Sequence, residues 1–216
     1  MSINIIENPY IMRPEDLRVI HEHFSGDHHV WDNKNDFEDF KDNFRRVIRL
    51  EQEKRCCYCK SYLKLRKQNV DIEHIIPKSK QQQFTFYPQN LALSCKRCNS
   101  VKSIHNPFDA NVPDHTIVDY PTDPLFYNMI HPHFDEYFVN INILENVIIV
   151  ASTPKGWKTV ERCALYEPEL AMDKAKEELH NTDSIKDVFM RVIMGVNISE
   201  DSEERLLHIL RNLDEI

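Results

Sequence analysis

The sequence predicts an α+β fold in which a compact ββα unit sits between N-terminal helices and a mixed, mainly helical C-terminal region. Three observations predict it. Apolar residues recur at helical spacing before residue 54 and again beyond residue 166. Two short strand-like runs and a brief helix occupy residues 55–106. Two Cys-x-x-Cys pairs, Cys56/Cys59 and Cys95/Cys98, bracket that middle stretch. Three regions are therefore expected, 1–54, 55–106 and 107–216, in a chain of 216 residues that is long enough to bury a core.

Pro14 to Phe24 reads as a helix, with Pro14 in its first turn and Leu17, Ile20, His21 and Phe24 on one face. Asp36 to Glu53 reads as a second, whose stripe of Phe37, Phe40, Phe44, Val47 and Ile48 is spaced for burial. Its Arg45, Arg46 and Arg49 lie toward the C-terminal half, where cations suit the helix dipole. Val70 to Ile75 and Leu91 to Ser94 are strands separated by a polar, Gln-rich loop over Lys78 to Pro88, and Cys95 to Lys102 opens a short helix. Pro107, Pro113, Pro121, Pro124 and Pro132 then punctuate a connector. Val139 to Leu144 and Val147 to Ala151 form a hairpin about Glu145-Asn146, with a turn at Lys155-Gly156-Trp157 after it. Helices follow at about Glu167 to Asn181, Ser184 to Gly195 and Ser199 to Leu213, the last two with apolar faces.

Composition narrows the class. A hydrophobic share of 41% with 29% charged residues fits a soluble globular protein. No apolar run approaches the roughly 20 residues that span a bilayer, so no membrane association is expected. The N-terminus lacks the basic start and apolar core of a signal peptide, so a reducing cytoplasm is expected, where clustered cysteines favour metal over disulfides. Cys57 and Cys163, outside the two pairs, read as buried or inert thiols. The net charge of −8 hides a segregation: Arg45 to Lys102 carries 14 basic and 4 acidic residues, a formal +10. From Ser103 onward 9 basic face 21 acidic residues, a formal −12. A basic block centred on a metal site is the electrostatic footprint of phosphate-backbone binding, although a solvated charged face reads the same way.

Each Cys-x-x-Cys pair spans one edge of a metal through a tight knuckle, and two pairs make a tetrahedral set, so Cys56, Cys59, Cys95 and Cys98 are expected to hold a structural zinc ion. Between the pairs stands Asp71-Ile72-Glu73-His74-Ile75-Ile76-Pro77, a carboxylate beside a histidine, which is hydrolytic chemistry.

In Glu73-His74-Ile75-Ile76-Pro77, in Asn90-Leu91-Ala92-Leu93-Ser94-Cys95 and in Cys98-Asn99-Ser100-Val101-Lys102, about 50 residues of the chain resemble the HNH endonuclease family, with its ββα-metal core between zinc knuckles. Glutamate precedes the histidine where the family more often has aspartate, and Gln81-Gln82-Gln83 fills a loop often rich in glycine. The resemblance implies a DNA-cutting phosphodiesterase that leaves a 5′ phosphate. In it Glu73 and Asn99 pair as hard-oxygen ligands of one Mg²⁺ or Mn²⁺, which bridges the scissile phosphate and the leaving 3′ oxygen. His74 is the general base, since an imidazole titrating near pH 6.5 takes a proton from water at neutral pH. Asn90 holds the loop and orients His74. Asp71, two residues before Glu73 on the same strand face, stands either as an orienting group or as a direct metal ligand. Lys78, Lys96, Arg97 and Lys102 are expected on backbone phosphates.

A rival from another class is a zinc-ribbon nucleic-acid-binding or interaction module, which needs the four cysteines but has no use for Glu73-His74 or Asn99. More loosely, Tyr87 to Lys102, a strand at Ile130-His131-Pro132-His133 and the acidic helical tail are similar to HNH effectors paired with ATPases in bacterial anti-phage systems such as Septu and some retrons. That likeness implies an ATPase partner, docked by the acidic tail. His131-Pro132-His133-Phe134-Asp135 reads as a structural or interface cluster ahead of a metal site, and His28-His29 as a polar loop.

Overall fold

A computed structural model of the protein describes residues 5–33, 36–63, 70–108 and 117–179. Among these residues six α-helices and two two-stranded sheets form, which is the α+β class expected. The helices foreseen at Ser184 to Gly195 and Ser199 to Leu213 lie outside the described residues. No helix among the described residues is long and apolar enough to cross a membrane. The chain divides into two compact units, Met1–Asn142 with Ala151–Leu165, and Ile143–Val150 with Tyr166–Ile216.

In the first unit, α1 (Pro14–His23) starts with Asp16 folding back on Arg13: the Arg13 amide donates to Asp16 Oδ2 at 2.9 Å and Tyr10 Oη adds a bond of 2.7 Å. This capping box buries Asp16 and turns the helix so that Leu17, expected on the apolar face, is 56% exposed. α2 (Glu38–Glu51) buries Phe40, Phe44 and Ile48 at helical spacing, with Phe37 just before it. Those rings meet Tyr10, Trp31 and Phe86, with Phe37 and Phe86 4.7 Å apart and Trp31 and Phe86 5.3 Å apart. Each buried ring contributes on the order of 2–3 kcal/mol, so this cluster anchors the N-terminal helices. α2 stops where Gln52 turns inward. Its carboxamide exchanges bonds of 2.7 and 2.8 Å with the Leu93 backbone, and Glu53 and Lys54 adopt φ of 47° and 60°.

β1 (Val70–His74) and β2 (Leu91–Cys95) pair antiparallel, from Val70 opposite Cys95 to His74 opposite Leu91. α3 (Lys96–Lys102) follows at once and packs across both strands, completing the ββα unit. The connecting loop takes two single-turn 3₁₀ stretches, Gln82–Phe84 and Pro88–Asn90.

Three expectations are corrected downstream. Residues 139–140 are not strand but the end of a helical turn, α4 (Tyr137–Asn140), because Tyr137 is buried and its hydroxyl donates to the Tyr58 carbonyl at 2.7 Å. β3 (Ile141–Leu144) therefore starts two residues later than expected, and it pairs with β4 (Ile148–Ala151) through Glu145 and Asn146 at φ 49° and 60°, the turn foreseen. Lys155-Gly156-Trp157 is not a turn but the start of α5 (Pro154–Arg162), capped by Thr153, whose Oγ1 accepts from the Gly156 amide at 3.0 Å. Gly156 serves close approach: a Cβ there would stand 2.0 Å from the Asn140 carbonyl oxygen. Ile130 to His133 forms no strand, because Asp135 folds back on His131, accepting from its amide at 2.8 Å and donating its own amide to the His131 carbonyl at 3.0 Å.

In the second unit, α6 (Pro168–Leu179) begins one residue after the expected Glu167, and Val147 and Ala175 are buried together with Ala171 packed against them.

Candidate functional site

Two knuckles bring four thiols together. Cys56 to Cys59 lie on the turn after α2, and Cys95 and Cys98 span the junction of β2 with α3. All four Sγ atoms lie within 4.8 Å of one another. Four sulfurs about 2.3 Å from a tetrahedral zinc ion stand about 3.8 Å apart, and Cys59 Sγ and Cys95 Sγ are separated by 3.8 Å. Backbone amides point at sulfur as a thiolate requires: Cys95 N donates to Cys56 Sγ at 3.3 Å and Cys98 N to Cys95 Sγ at 3.5 Å. Burial opposes a thiolate at Cys56, yet hydrogen bonds from the neighbouring thiols outweigh it and pull its pKa well below 9. The same contacts with Cys56 push the Cys95 and Cys98 thiols up, so a cation entering the cluster displaces protons. The donor set fits zinc.

Along β1, alternation turns Asp71 and Glu73 toward α3, where Asn99 and Lys102 stand three residues apart. Asn99 Nδ2 donates to Asp71 Oδ2 at 2.9 Å, and both residues are half-buried. Glu73 is 2% exposed, with Oε1 2.5 Å from Lys102 Nζ and accepting from Tyr58 Oη at 3.0 Å. Burial raises the Glu73 pKa, and Lys102 works against that rise. Lys102 is itself 0% exposed and also donates to the His74 carbonyl at 3.0 Å. Its expected place on a substrate phosphate is therefore corrected: Lys102 follows Cys98 by one turn and shares its buried face.

His74 ends β1. Its ring is buried, edge-to-face with Trp31 at 4.5 Å, and its Nε2 lies 3.0 Å from the Thr85 carbonyl oxygen. A carbonyl oxygen only accepts, so Nε2 carries the proton and Nδ1 keeps its lone pair. Burial lowers the pKa to about 3, against a smaller upward pull from the Thr85 bond, so the ring is neutral at neutral pH.

Asn90 is fully buried. Its Oδ1 accepts from the Ile76 amide at 2.8 Å, and its Nδ2 donates to the Ile76 and Phe84 carbonyls at 3.0 Å each. The side chain thus folds the 76–84 loop and delivers Thr85 to His74, rather than bonding the imidazole itself. Tyr120 braces the same point, its hydroxyl 3.3 Å from Asn90 Oδ1 and 2.8 Å from His131 Nε2. His133 Nε2 lies 2.9 Å from the Leu91 carbonyl oxygen. Both histidines of this cluster are buried and hydrogen-bonded to structural groups, and no metal-ligand cluster forms around them among the described residues. His28 and His29 lie on a 3₁₀ turn, His28–Asp32, which leads to Trp31.

The site opens into a cleft of about 1120 Å³, lined among others by Trp31, Arg45, Asp71, Glu73, His74, Lys78, Lys96 and Asn99. Lys78 Nζ stands 3.0 Å from Asp32 Oδ2, and Lys96 is exposed. Arg97 does not face the cleft wall. Its guanidinium donates to the Ala164 carbonyl at 2.8 Å and the Cys163 carbonyl at 3.5 Å, satisfying the end of α5, so its expected phosphate role is corrected as well. Sequence reasoning missed Trp31, Thr85 and Tyr58. Trp31 is distant in sequence and carries no motif, Tyr58 is a variable position inside the Cys56/Cys59 knuckle, and Thr85 acts through its backbone, which has no residue signature.

No curated protein matches the chain. The family model described as HNH endonuclease matches residues 56–104. That segment holds both knuckles, both strands, His74 and α3 with Asn99, and its four-cysteine cluster fits the zinc-bearing type, so the chain carries a domain of the HNH endonuclease family over residues 56–104.

Proposed function

We propose that the protein is a metal-dependent endonuclease that hydrolyses DNA phosphodiester bonds. One observation carries the reading: a neutral imidazole, held through Nε2 by the Thr85 carbonyl so that Nδ1 keeps its lone pair, lines with the paired Asp71 and Asn99 a cleft that has Lys78 and Lys96 at its wall. His74 Nδ1 accepts a proton from water as the water oxygen attacks phosphorus; the P–O3′ bond breaks, the 3′ oxygen leaves with its electron pair and takes a proton from solvent, and the other fragment keeps a 5′ phosphate. Thr85 fixes the tautomer that makes this possible, and Trp31 and Asn90 hold the ring and its loop in place. Lys78 and Lys96 bind backbone phosphates. A Mg²⁺ or Mn²⁺ ion, when bound at Asn99 and a carboxylate of β1, supplies charge neutralisation at the scissile phosphate and the departing oxygen. A zinc ion at Cys56, Cys59, Cys95 and Cys98 holds β2 and α3 against the first knuckle.

The test is plasmid nicking with Mg²⁺ or Mn²⁺. Loss of the base in His74→Ala lowers the rate by about 10²–10⁴-fold while the fold persists, since the ring makes one hydrogen bond among the described residues. Equal background cleavage by wild type and variant sinks the reading and favours the zinc-ribbon binding module.

The segregation of charge, +10 over Arg45 to Lys102 against −12 from Ser103 on, supports a finer reading. In it the nuclease is one subunit of a cytoplasmic anti-phage complex, whose ATPase partner meets the acidic part of the chain. Co-purification with the neighbouring gene product checks it; a monomer with full, unregulated activity argues against it.

A further inference from the structure

Helix α2 carries four cations, Lys41, Arg45, Arg46 and Arg49, and the fold sorts them. Glu38, Lys41 and Arg45, at helical spacing, line the same cleft as His74. Arg46 is exposed and off that lining, with its guanidinium donating to Asn43 Oδ1 at 3.2 Å. Arg49 donates to the Leu63 carbonyl and stands 5.7 Å from the centre of the Tyr62 ring. Lys41 is buried and already committed: its Nζ lies 2.5 Å from the Trp31 carbonyl oxygen and 4.9 Å from the centre of the Trp31 ring. Arg45 is left for a ligand.

We propose that Arg45 binds a backbone phosphate of DNA in the cleft, through the Nε–Nη2 edge of its guanidinium. The proposal rests on the nuclease reading above and adds to it a residue from outside the 56–104 segment.

Both carboxylate contacts of Arg45 fall on one atom. Nη1 donates to Asp42 Oδ1 at 3.1 Å and stands 3.8 Å from Glu38 Oε1. Among the described residues, Nε is buried with no hydrogen-bond partner and Nη2 meets no acceptor. A buried N–H without an acceptor is rare and calls for a reason. The Nε–Nη2 edge presents two parallel N–H groups, the fork that fits two oxygens of one phosphate. Asp42 and Glu38 hold Nη1 loosely, because their side chains are 38% and 44% exposed and ion pairs so exposed are weak. A phosphate entering the cleft therefore draws Arg45 off Asp42. The guanidinium turns, and Nε gains the acceptor it lacks. Lys78 and Lys96 line the same cleft from the loop after β1 and from α3, so the DNA strand is met by cations from three separate elements.

The test is binding of the zinc-loaded full chain to a fluorescein-labelled DNA duplex, read by anisotropy over a range of salt with no Mg²⁺ or Mn²⁺ added. Arg45→Gln weakens binding by about tenfold and lowers the slope of log K against log salt by about 0.9, the signature of one lost phosphate contact. Arg46→Gln removes the same charge from the same helix, keeps the slope and changes affinity by no more than about twofold. Arg45→Lys restores the slope but stays about threefold weaker than wild type, because an ammonium meets the phosphate as a point charge. Arg45→Lys also carries the test if Arg45→Gln melts early, since it keeps the charge on α2. An unchanged slope in Arg45→Gln, an equal loss in Arg46→Gln, or full wild-type affinity in Arg45→Lys overturns the proposal and leaves the nuclease reading standing. Wild type that binds no DNA overturns both. Wild type and variants that bind in the expected pattern, with no plasmid cut when Mg²⁺ is added, leave Arg45 assigned and remove the nuclease reading alone.

Discussion

Replacing Asn90 by alanine removes the side chain that folds the loop between His74 and β2. Three bonds to backbone go, from the Ile76 amide at 2.8 Å and to the Ile76 and Phe84 carbonyls at 3.0 Å, while the Tyr120 hydroxyl loses Oδ1 at 3.3 Å but keeps the Gln89 carbonyl and His131 Nε2. The site is fully buried, so water does not replace them. Each group left unsatisfied costs about 1–3 kcal/mol, and the three share one side chain, so a loss of about 3–5 kcal/mol is expected. A domain is typically stable by about 5–15 kcal/mol, which makes this a large fraction of the total. The next carbonyl along is that of Thr85, which holds the His74 tautomer, so activity falls further than stability alone explains. Urea unfolding followed by tryptophan fluorescence reads the first effect, because Trp31 is buried in the N-terminal core whereas Trp157 is 61% exposed. Nicking assays at a urea concentration where the variant is folded read the second. A destabilisation below about 1 kcal/mol, with cleavage unchanged, refutes the account of Asn90 as the loop's anchor.

Three further outcomes are expected. Cys95→Ser, or stripping the cluster with a chelator, abolishes cleavage together with the folded ββα unit, seen as loss of cooperative unfolding by circular dichroism; a folded, active Cys95→Ser protein contradicts a scaffolding role for zinc. Acid weakens the protein through its buried histidines. Burial lowers the His133 pKa to about 4 and that of His131 well below its ordinary value, so the unfolded chain binds more protons between that range and pH 6.5. Their contribution is complete above about pH 6.5 and is lost as pH falls toward 4, by on the order of 3 kcal/mol for His133; denaturation midpoints that stay flat from pH 7 to 4 contradict it. Gly156→Ala forces a Cβ to within 2.0 Å of the Asn140 carbonyl oxygen, so α5 shifts and the melting temperature drops by several degrees, about 1–3 kcal/mol.

The ββα unit was legible because its signals are local and chemically specific. Alternation over Val70 to His74, a second short apolar run and a helix starting at Cys95 define the elements within a residue or so. The hairpin turn at Glu145-Asn146 was legible for the same reason. Where local signals misled, a distant contact had intervened. Gly156 reads as a turn residue, but the helix behind it is dictated by the Thr153-Pro154 cap and by the nearness of Asn140. Leu17 reads as core until Asp16 claims the buried face through Arg13 and Tyr10. Val139 reads as strand until Tyr137 is drawn inward by Tyr58.

Residue types and their spacing by themselves determined which chemistry is available: four thiols in two knuckles, a histidine beside carboxylates, and an asparagine on a following helix. Tertiary structure decided how the charges are allotted among them. Asp71 and Glu73 are two residues apart on one strand face, Asn99 and Lys102 are three apart on one helix face, and nothing in the order of residues says which carboxylate meets which partner. Packing α3 across β1 set Glu73 against a buried ammonium and left Asp71 with an uncharged amide at the cleft. The reason is electrostatic: a buried cation must have a counter-charge within reach, and only the folded chain shows which acid supplies it.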